Sequence, residues 1–315
     1  MIHFFYEVGL CSDKVRPRVH KVRPCFPKAL WHTRWSYPNP TETAKKGLHT
    51  PKKSRLANYF VILPPKLSSG HMNLIIDIGN TIAKLVVFEE NEPIAEIHTS
   101  NQTLEALPEL IRQYPDVKRG IVSSVIDLSR KAREQLQALP FSPIVLNSQT
   151  PVPIKIGYRS PQTLGADRLA AAVGAMTLRP GHDLLVIDAG TCITYEFVDH
   201  TGCYHGGNIS PGLEMRLAAL HEHTARLPLV GPEGDTPPVG YDTETAIRAG
   251  VISGIRHEIE GYIREFQTKY PDISIFLTGG NCYHFDTPTK NCIFADKFLV
   301  PRGLNRILLH NNNES

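Results

Sequence analysis

The sequence predicts a duplicated α/β chain in which one strand–turn–strand meander, with helices and further strands appended, occurs twice. Three observations carry this expectation. An apolar run ending in an acid and a glycine turn, Ile75-Ile76-Asp77-Ile78-Gly79-Asn80-Thr81-Ile82-Ala83-Lys84, leads into a returning strand. The same design recurs as Leu184-Leu185-Val186-Ile187-Asp188-Ala189-Gly190-Thr191-Cys192-Ile193-Thr194. Between them Thr150 to Pro161 is broken by prolines, too irregular for a core, and reads as the boundary between a half of residues 72–150 and a half, with its connection, of residues 151–315.

The elements follow in order from periodicity. Strands are expected at 73–78, 83–88 and 93–98, the first two apolar enough to be buried. A helix near 103–113 puts Leu104, Leu107, Leu110 and Ile111 on one face, then come a strand at 120–125, a helix over 128–138 and a strand at 143–146. The second half opens with a helix over 164–178, carrying Leu164, Ala171, Ala172, Ala175 and Met176 at helical spacing. Strands at 183–188, 192–198 and 203–209 repeat the meander, and helices over 212–224 and 243–269, a strand at 273–278 and a helix near 302–310 complete the chain.

The 315 residues suffice for two cores, and no apolar run approaches the ~18 residues that a membrane span needs. The net charge of +3 hides an asymmetry: residues 1–71 hold 13 of the 34 Lys and Arg but 3 of the 31 Asp and Glu, which leaves 21 against 28 for the rest. This basic leader contains both tryptophans and prolines at 17, 24, 27, 38, 40, 51, 64 and 65, with no sustained period. A nucleic-acid or membrane-surface arm and a targeting peptide are conceivable from its composition. The favoured expectation is a disordered or non-native extension preceding a start at Met72. The six cysteines form no Cys-x-x-Cys pair, which fits a reducing, cytoplasmic compartment without disulfides.

Several constellations can carry chemistry. A strand breaking into a glycine turn presents N–H groups to an anion, so the two hairpins suggest paired phosphate sites, with Asp77 facing a bound cation. Gly165-Ala166-Asp167-Arg168 sets a carboxylate beside a guanidinium at a helix start. The bland reading is an acid complementing the helix dipole; the chemical one is a base for an attacking hydroxyl beside an arginine that binds a carboxylate or phosphate bidentately. Gly206-Gly207-Asn208-Ile209-Ser210-Pro211-Gly212 reads as a glycine-rich bend entering a helix, for an anion or merely for a tight crossing. Leu277-Thr278-Gly279-Gly280-Asn281 is a strand ending in a turn of the kind that approaches a nucleoside. His221 and His223 do not share a helix face, and His205, His257 and His284 lack a partner at ligand spacing, so zinc is not expected. Walker, Rossmann and Gly-x-Ser-x-Gly motifs are absent.

In this order, Asp77-x-Gly-Asn-Thr-x-x-Lys84, Gly165-Ala-Asp-Arg168, Asp188-x-Gly-Thr191-x-x-Thr194 and Gly206-Gly-x-Ile-x-Pro-Gly212 resemble the type III pantothenate kinases, from Met72 almost to the end. The resemblance implies two ribonuclease-H-like halves of the actin-like ATPase superfamily closing on a nucleotide. It also implies ATP-dependent phosphorylation of the primary hydroxyl of pantothenate, the first step toward coenzyme A, by a cytoplasmic homodimer without nucleic-acid or membrane partners. By position, Asp77, Ile78, Gly79, Asn80, Thr81, Ile82, Ala83 and Lys84 would form the first phosphate loop, with Asp77 near magnesium, and Thr191 would contact ATP. Asp167 would be the general base; Tyr158, Gly165, Ala166, Arg168 and Thr243 would join it in binding pantothenate. Asp188 would hold a monovalent cation, potassium or ammonium. The chain departs from the family pattern at Glu196, where Asp is frequent, at Asp242, where Ser or Asn commonly precedes the threonine, and in its leader. A kinase of the same fold acting on another small acceptor, and a nucleotide-binding regulator without catalysis, are the alternatives; the three acids argue against the second, since a binding module needs no base.

Overall fold

The computed structural model describes residues 61–62, 72–282 and 293–312. The first sheet begins with β1 (Val61–Ile62), then the antiparallel meander β2 (Met72–Ile78), β3 (Ala83–Glu89) and β4 (Glu92–Thr99). After α1 (Leu107–Gln113), β5 (Val117–Ser124) runs parallel to β2; after α2 (Arg130–Gln137), β6 (Ile144–Val145) runs parallel to β5. The strand order is β1-β4-β3-β2-β5-β6.

The second sheet repeats this plan. A short strand β7 (Lys155–Ile156) and helix α3 (Ala166–Leu178) precede the meander β8 (Leu184–Ala189), β9 (Cys192–Val198) and β10 (Cys203–Pro211). Helices α4 (Leu213–Glu222) and α5 (Thr243–Lys269) lead to β11 (Ser274–Thr278), parallel to β8, then β12 (Ile293–Ala295), parallel to β11, and α6 (Leu299–Asn312). The order β12-β11-β8-β9-β10-β7 mirrors the first sheet, with β7 added at the edge as β1 is there. The expected duplication is therefore present strand for strand.

Alternation decides the layers, because successive strand residues face opposite sides. Leu74, Ile76 and Ile78 pack with α1 and α2 on the outside of the first sheet, while Leu185, Ile187 and Ala189 pack with α4 and α5 on the outside of the second. Ile75, Val86, Leu184, Val186 and Tyr204 turn inward onto one shared core with α3 and α6. Those two helices touch backbone to backbone. A β-carbon at Gly174 would lie 2.2 Å from the Leu299 carbonyl oxygen and one at Gly303 only 1.7 Å from that of Ala170, so neither position admits a side chain. α6 also ties back to the first sheet: buried Asn305 accepts from Asn73 Nδ2 at 2.7 Å and donates to the Glu90 carbonyl at 2.7 Å.

Four sequence expectations need correction. The Thr150–Pro161 connection contributes to the core: Ile154 is buried and β7 pairs with Cys203 and Tyr204. Its prolines flank the pairing residues rather than interrupt them, and Lys155 and Gly157 donate to the Gly202 and Tyr204 carbonyls. Gly206-Gly207 is not a bend into a helix, since β10 continues to Pro211; Gly206, with φ +113°, sits at a bulge where the register shifts. The first helix starts at Leu107 rather than 103, because Leu104 takes a positive φ of 48° and closes a turn instead. Finally, no element was expected before Met72, yet Val61 and Ile62 pair with Glu96 and Ala95; two residues carry no period to announce a strand. The rest of the leader expectation, and Cys292 and His284, lie outside the described residues.

Candidate active site

Asp77 and Asp188 occupy equivalent inward positions near the ends of β2 and β8, one on each sheet. In the first hairpin Asp77 pairs with Lys84 across the ladder, Gly79 N–H donates to the Ile82 carbonyl at 3.0 Å, and Asn101 Nδ2 clamps the Gly79 and Asn80 carbonyls at 3.0 and 2.8 Å. Asn80 and Thr81 stay exposed at its tip, Ile82 is half-buried, and Ile78 and Ala83 are fully buried anchors. The second hairpin is closed by Gly190 N–H to the Cys192 carbonyl, with Thr191 exposed. Gly279 follows β11 with φ +97°, and a β-carbon there would meet Asp188 Oδ1 at 2.5 Å, so this turn fits directly over the carboxylate. Gly212 N–H at the start of α4 bonds the Thr191 carbonyl and Asn281 N–H bonds that of Ala189, which gathers the hairpin, a helix N-terminus and the glycine turn in one place.

Asp167 arrives from the middle layer. It lies in the first turn of α3, half-buried, with Oδ1 accepting the Arg168 N–H at 2.8 Å. Burial, opposed by Lys84 and reinforced by Asp167, pushes Asp77 up to about 6. Burial likewise pushes Asp188 up to about 7 against Lys84, with Asp167, Asp77 and Glu196 adding repulsion. Asp167 is itself raised by burial, partly offset by its backbone hydrogen bond. Both Asp77 and Asp188 keep an edge in contact with solvent, so the cluster opens at the surface. Carboxylates crowded around a single lysine favour added positive charge, and oxygen donors of this kind suit hard cations such as Mg²⁺ or a monovalent ion. Asp77 and Asp188 are the residues that would hold them.

Arg168, the next residue of α3, is engaged by a different acid. Its Nε and Nη2 grip both oxygens of Glu196 at 2.7 and 2.8 Å, and Tyr204 Oη donates to Glu196 Oε2 at 2.5 Å. Burial works against the guanidinium charge, but Glu196 outweighs it and holds Arg168 ionised. The Tyr158 ring closes the group, 5.9 Å from the Arg168 guanidinium carbon and 6.0 Å from the Tyr204 ring. The fork expected to bind a ligand is thus already engaged inside the protein. Gly165 is the N-cap of α3 and Ala166 its first residue, beside Asp167 and Arg168.

Sequence reasoning noted Glu196 only as a departure and passed over Tyr204. A signal was present: in a strand whose even positions face the core, Glu196 is an inward charge that needs a cation, and Arg168 is the nearest inward cation on a neighbouring element. A second, half-buried cluster was missed as well. Glu258 on α5 accepts from Tyr195 Oη at 2.8 Å, from Ser210 Oγ and from Arg216 Nη2 at 2.5 Å, which fixes α4 and α5 to the outer face of the second sheet.

Thr243 does not join these residues within the chain. It opens α5, on the sheet face opposite to Asp188 and Glu196, and lines a groove of about 900 Å³ with Arg216, Leu220, Thr224, Ile247 and Val251. Asp242 caps α5, its carboxylate accepting from Thr245 N–H at 2.8 Å while Thr245 Oγ1 accepts the Asp242 N–H. That is the structural reason an acid suits this position.

Two meanders of identical strand order, each delivering an aspartate to a shared interior, define a duplicated ribonuclease-H-like fold with acids gathered between its two sheets. The sequence profile of the type III pantothenate kinases matches residues 73–265, and the chain belongs to that family. A type III pantothenate kinase from Phocaeicola vulgatus is 56% identical over 241 residues, 76% of this chain and 99% of its own length. Those from Bacteroides fragilis and Porphyromonas gingivalis are 56% and 42% identical, over 76% of this chain and 99% and 98% of theirs.

Proposed function

We propose that the chain transfers the γ-phosphoryl group of ATP to the primary hydroxyl of pantothenate, opening coenzyme A biosynthesis. The observation that carries this reading is the convergence of Asp77, Asp167 and Asp188, from three different layers, around Lys84. A loose phosphoryl-transfer transition state needs an aligned acceptor and neutralised oxygens more than a strong base. In this reading Lys84 and the N–H groups of Asn80 and Thr81 hold the phosphates, the Gly79 N–H being used to close the hairpin, and Thr191 touches the nucleotide. Asp167, raised by burial, orients the pantothenate hydroxyl and takes its proton at a carboxylate oxygen. Mg²⁺ at Asp77 and a potassium or ammonium ion at Asp188 supply charge neutralisation when bound.

Tyr158 and Gly165 to Arg168 line the acceptor side, where Glu196 and Tyr204 keep Arg168 in place. Thr243, remote from these groups in its own chain, reaches the acceptor site of a second copy in a homodimer. Use of cellular ATP places the activity in the cytoplasm; among the described residues no helix is long and apolar enough to cross a membrane. Residues 1–71 precede the family match and are not required for turnover, and the halves at 72–150 and 151–315 close on the nucleotide.

An ADP-release assay tests this. Turnover is expected only with ATP, Mg²⁺ and pantothenate together, stimulated by potassium or ammonium over sodium, in the full chain and in residues 72–315 alike. ADP release independent of pantothenate contradicts the assignment of acceptor. A sedimentation profile of an active monomer removes the role given to Thr243.

A further inference from the structure

The β9–β10 turn lies at the end of the second sheet away from Asp188, since Leu184 and Val198 pair there. It brings together three side chains of different chemistry. A carboxylate oxygen of Asp199, Cys203 Sγ and a ring nitrogen of His205 all lie within 4.8 Å of one another. The spacing is Asp-x-x-x-Cys-x-His, and on a strand residues two apart share a face, so Cys203 and His205 project together while Tyr204 between them is buried. The sequence reading tested histidines against helical spacing and missed this pairing.

The three groups are held from behind. Asp199 Oδ1 accepts the N–H groups of Thr201 and Cys203 at 2.9 and 3.1 Å and the Thr201 hydroxyl at 2.6 Å, which leaves Oδ2 facing His205 Nε2 at 2.6 Å. Hydrogen bonds from His205 and Thr201 keep the Asp199 carboxyl ionised. The His205 ring stacks on Phe197 with centroids 5.6 Å apart. Opposite Cys203 the neighbouring strand offers Gly157, where a β-carbon would lie 3.0 Å from Sγ and 3.8 Å from His205 Nδ1; its absence keeps the space around the two donors open. A salt bridge between Asp199 and His205 alone would give no reason for a thiol in the group.

We propose that Asp199, Cys203 and His205 bind a zinc ion, with water in the fourth position. Sulfur, imidazole nitrogen and carboxylate oxygen are the donors zinc prefers, and three protein ligands with one open position is an ordinary coordination for it. Tetrahedral bonds of about 2.0–2.3 Å place ligand atoms roughly 3–4 Å apart, a closure that rotation of the exposed His205 supplies. On binding, the Cys203 S–H bond breaks and its proton passes to solvent, the hydrogen bond between His205 and Asp199 opens, Zn–S, Zn–N and Zn–O bonds form, and all but one of the aqua ion's waters leave. The ion then braces the β9–β10 turn and, through Cys203, the pairing of β7.

The test uses the full-length, untagged chain stripped of metal and kept in excess Mg²⁺ so that the carboxylate cleft does not compete. Zn²⁺ is titrated against a chromophoric chelator, and Co²⁺ is used as a spectroscopic probe. One equivalent of zinc is expected, with a thiolate-to-cobalt charge-transfer band that Cys203→Ser abolishes and Cys192→Ser retains. Loss of an outer-shell partner typically weakens metal sites about 10–100-fold, so Cys203→Ser and His205→Gln should each weaken zinc binding by at least ~100-fold. Unchanged circular dichroism in the metal-free variants separates lost ligands from lost fold. No charge-transfer band in the wild type, a band that survives Cys203→Ser, or unchanged zinc affinity in His205→Gln each overturns the site.

Discussion

At the scale of single residues the acids between the sheets differ in their surroundings. Asp167 sits at the start of a helix with one oxygen tied to the Arg168 N–H, so the other is the oxygen that can meet a hydroxyl. Asp167→Asn keeps the shape and removes the carboxylate proposed to accept the proton; kcat should fall by about 10²–10⁴-fold, while nucleotide affinity, read by fluorescence titration, stays within about threefold. Glu196 is a different case, because it is completely buried and its partner Arg168 is nearly so. Removing it strands a buried cation. Glu196→Ala should lose about 3–5 kcal/mol in chemical denaturation, and Glu196→Gln, which keeps the hydrogen-bond geometry, distinctly less. Equal stability of Glu196→Ala and wild type would mean that Arg168 finds another partner or water.

At the scale of elements, the α3–α6 contact positions the helix that carries Asp167 and Arg168. Asp167 and Arg168 are at one end of α3, and the glycines that let α6 approach lie farther along both helices. Gly303→Ala should destabilise the fold by about 1–3 kcal/mol or more in urea unfolding, since the clash is with backbone that has no rotamer to give. Nearly every long element was legible in the sequence for a plain reason: β2, β3, β8 and β9 are apolar strands bounded by turn residues, and α5 has a capping acid and a sustained period. What escaped was short or marginal. β1, β7 and β12 have two or three residues each, and their pairing is decided by which sheet edge lies nearby. The late start of α1 depended on one strained leucine.

At the scale of the whole molecule, the cleft costs stability without its cations. Asp77 and Asp188 titrate near 6 and 7, well above their value in an unfolded chain, so the folded form binds more protons in this window. Stability of the cation-free protein should therefore rise as pH falls from 8 to 5.5, since burying the ionised forms is what costs. The melting temperature should climb by a few degrees, ~3–5 °C, and added Mg²⁺ at pH 8 should recover much of that gain. A melting temperature that falls over the same range without Mg²⁺ would mean that the two carboxylates are solvated in the native state.

The site itself was only half legible in one dimension. Asp77 and Asp188 advertised themselves through a repeated motif, whereas Glu196, Tyr204 and Glu258 act through partners 28, 8 and 63 residues away, which no local pattern reports. Asp199 and His205 are close in sequence yet were hidden because the turn that joins them is a strand hairpin rather than a helix.

One site, assembled from both sheets and α3, is proposed to phosphorylate pantothenate. The most direct test is phosphorus NMR of the full chain incubated with ATP, Mg²⁺, potassium and pantothenate, run beside Asp167→Asn. A phosphomonoester on the primary hydroxyl of pantothenate is expected to appear in step with ADP, and none in the variant. ADP accompanied only by inorganic phosphate, or full product formation by Asp167→Asn, would contradict it.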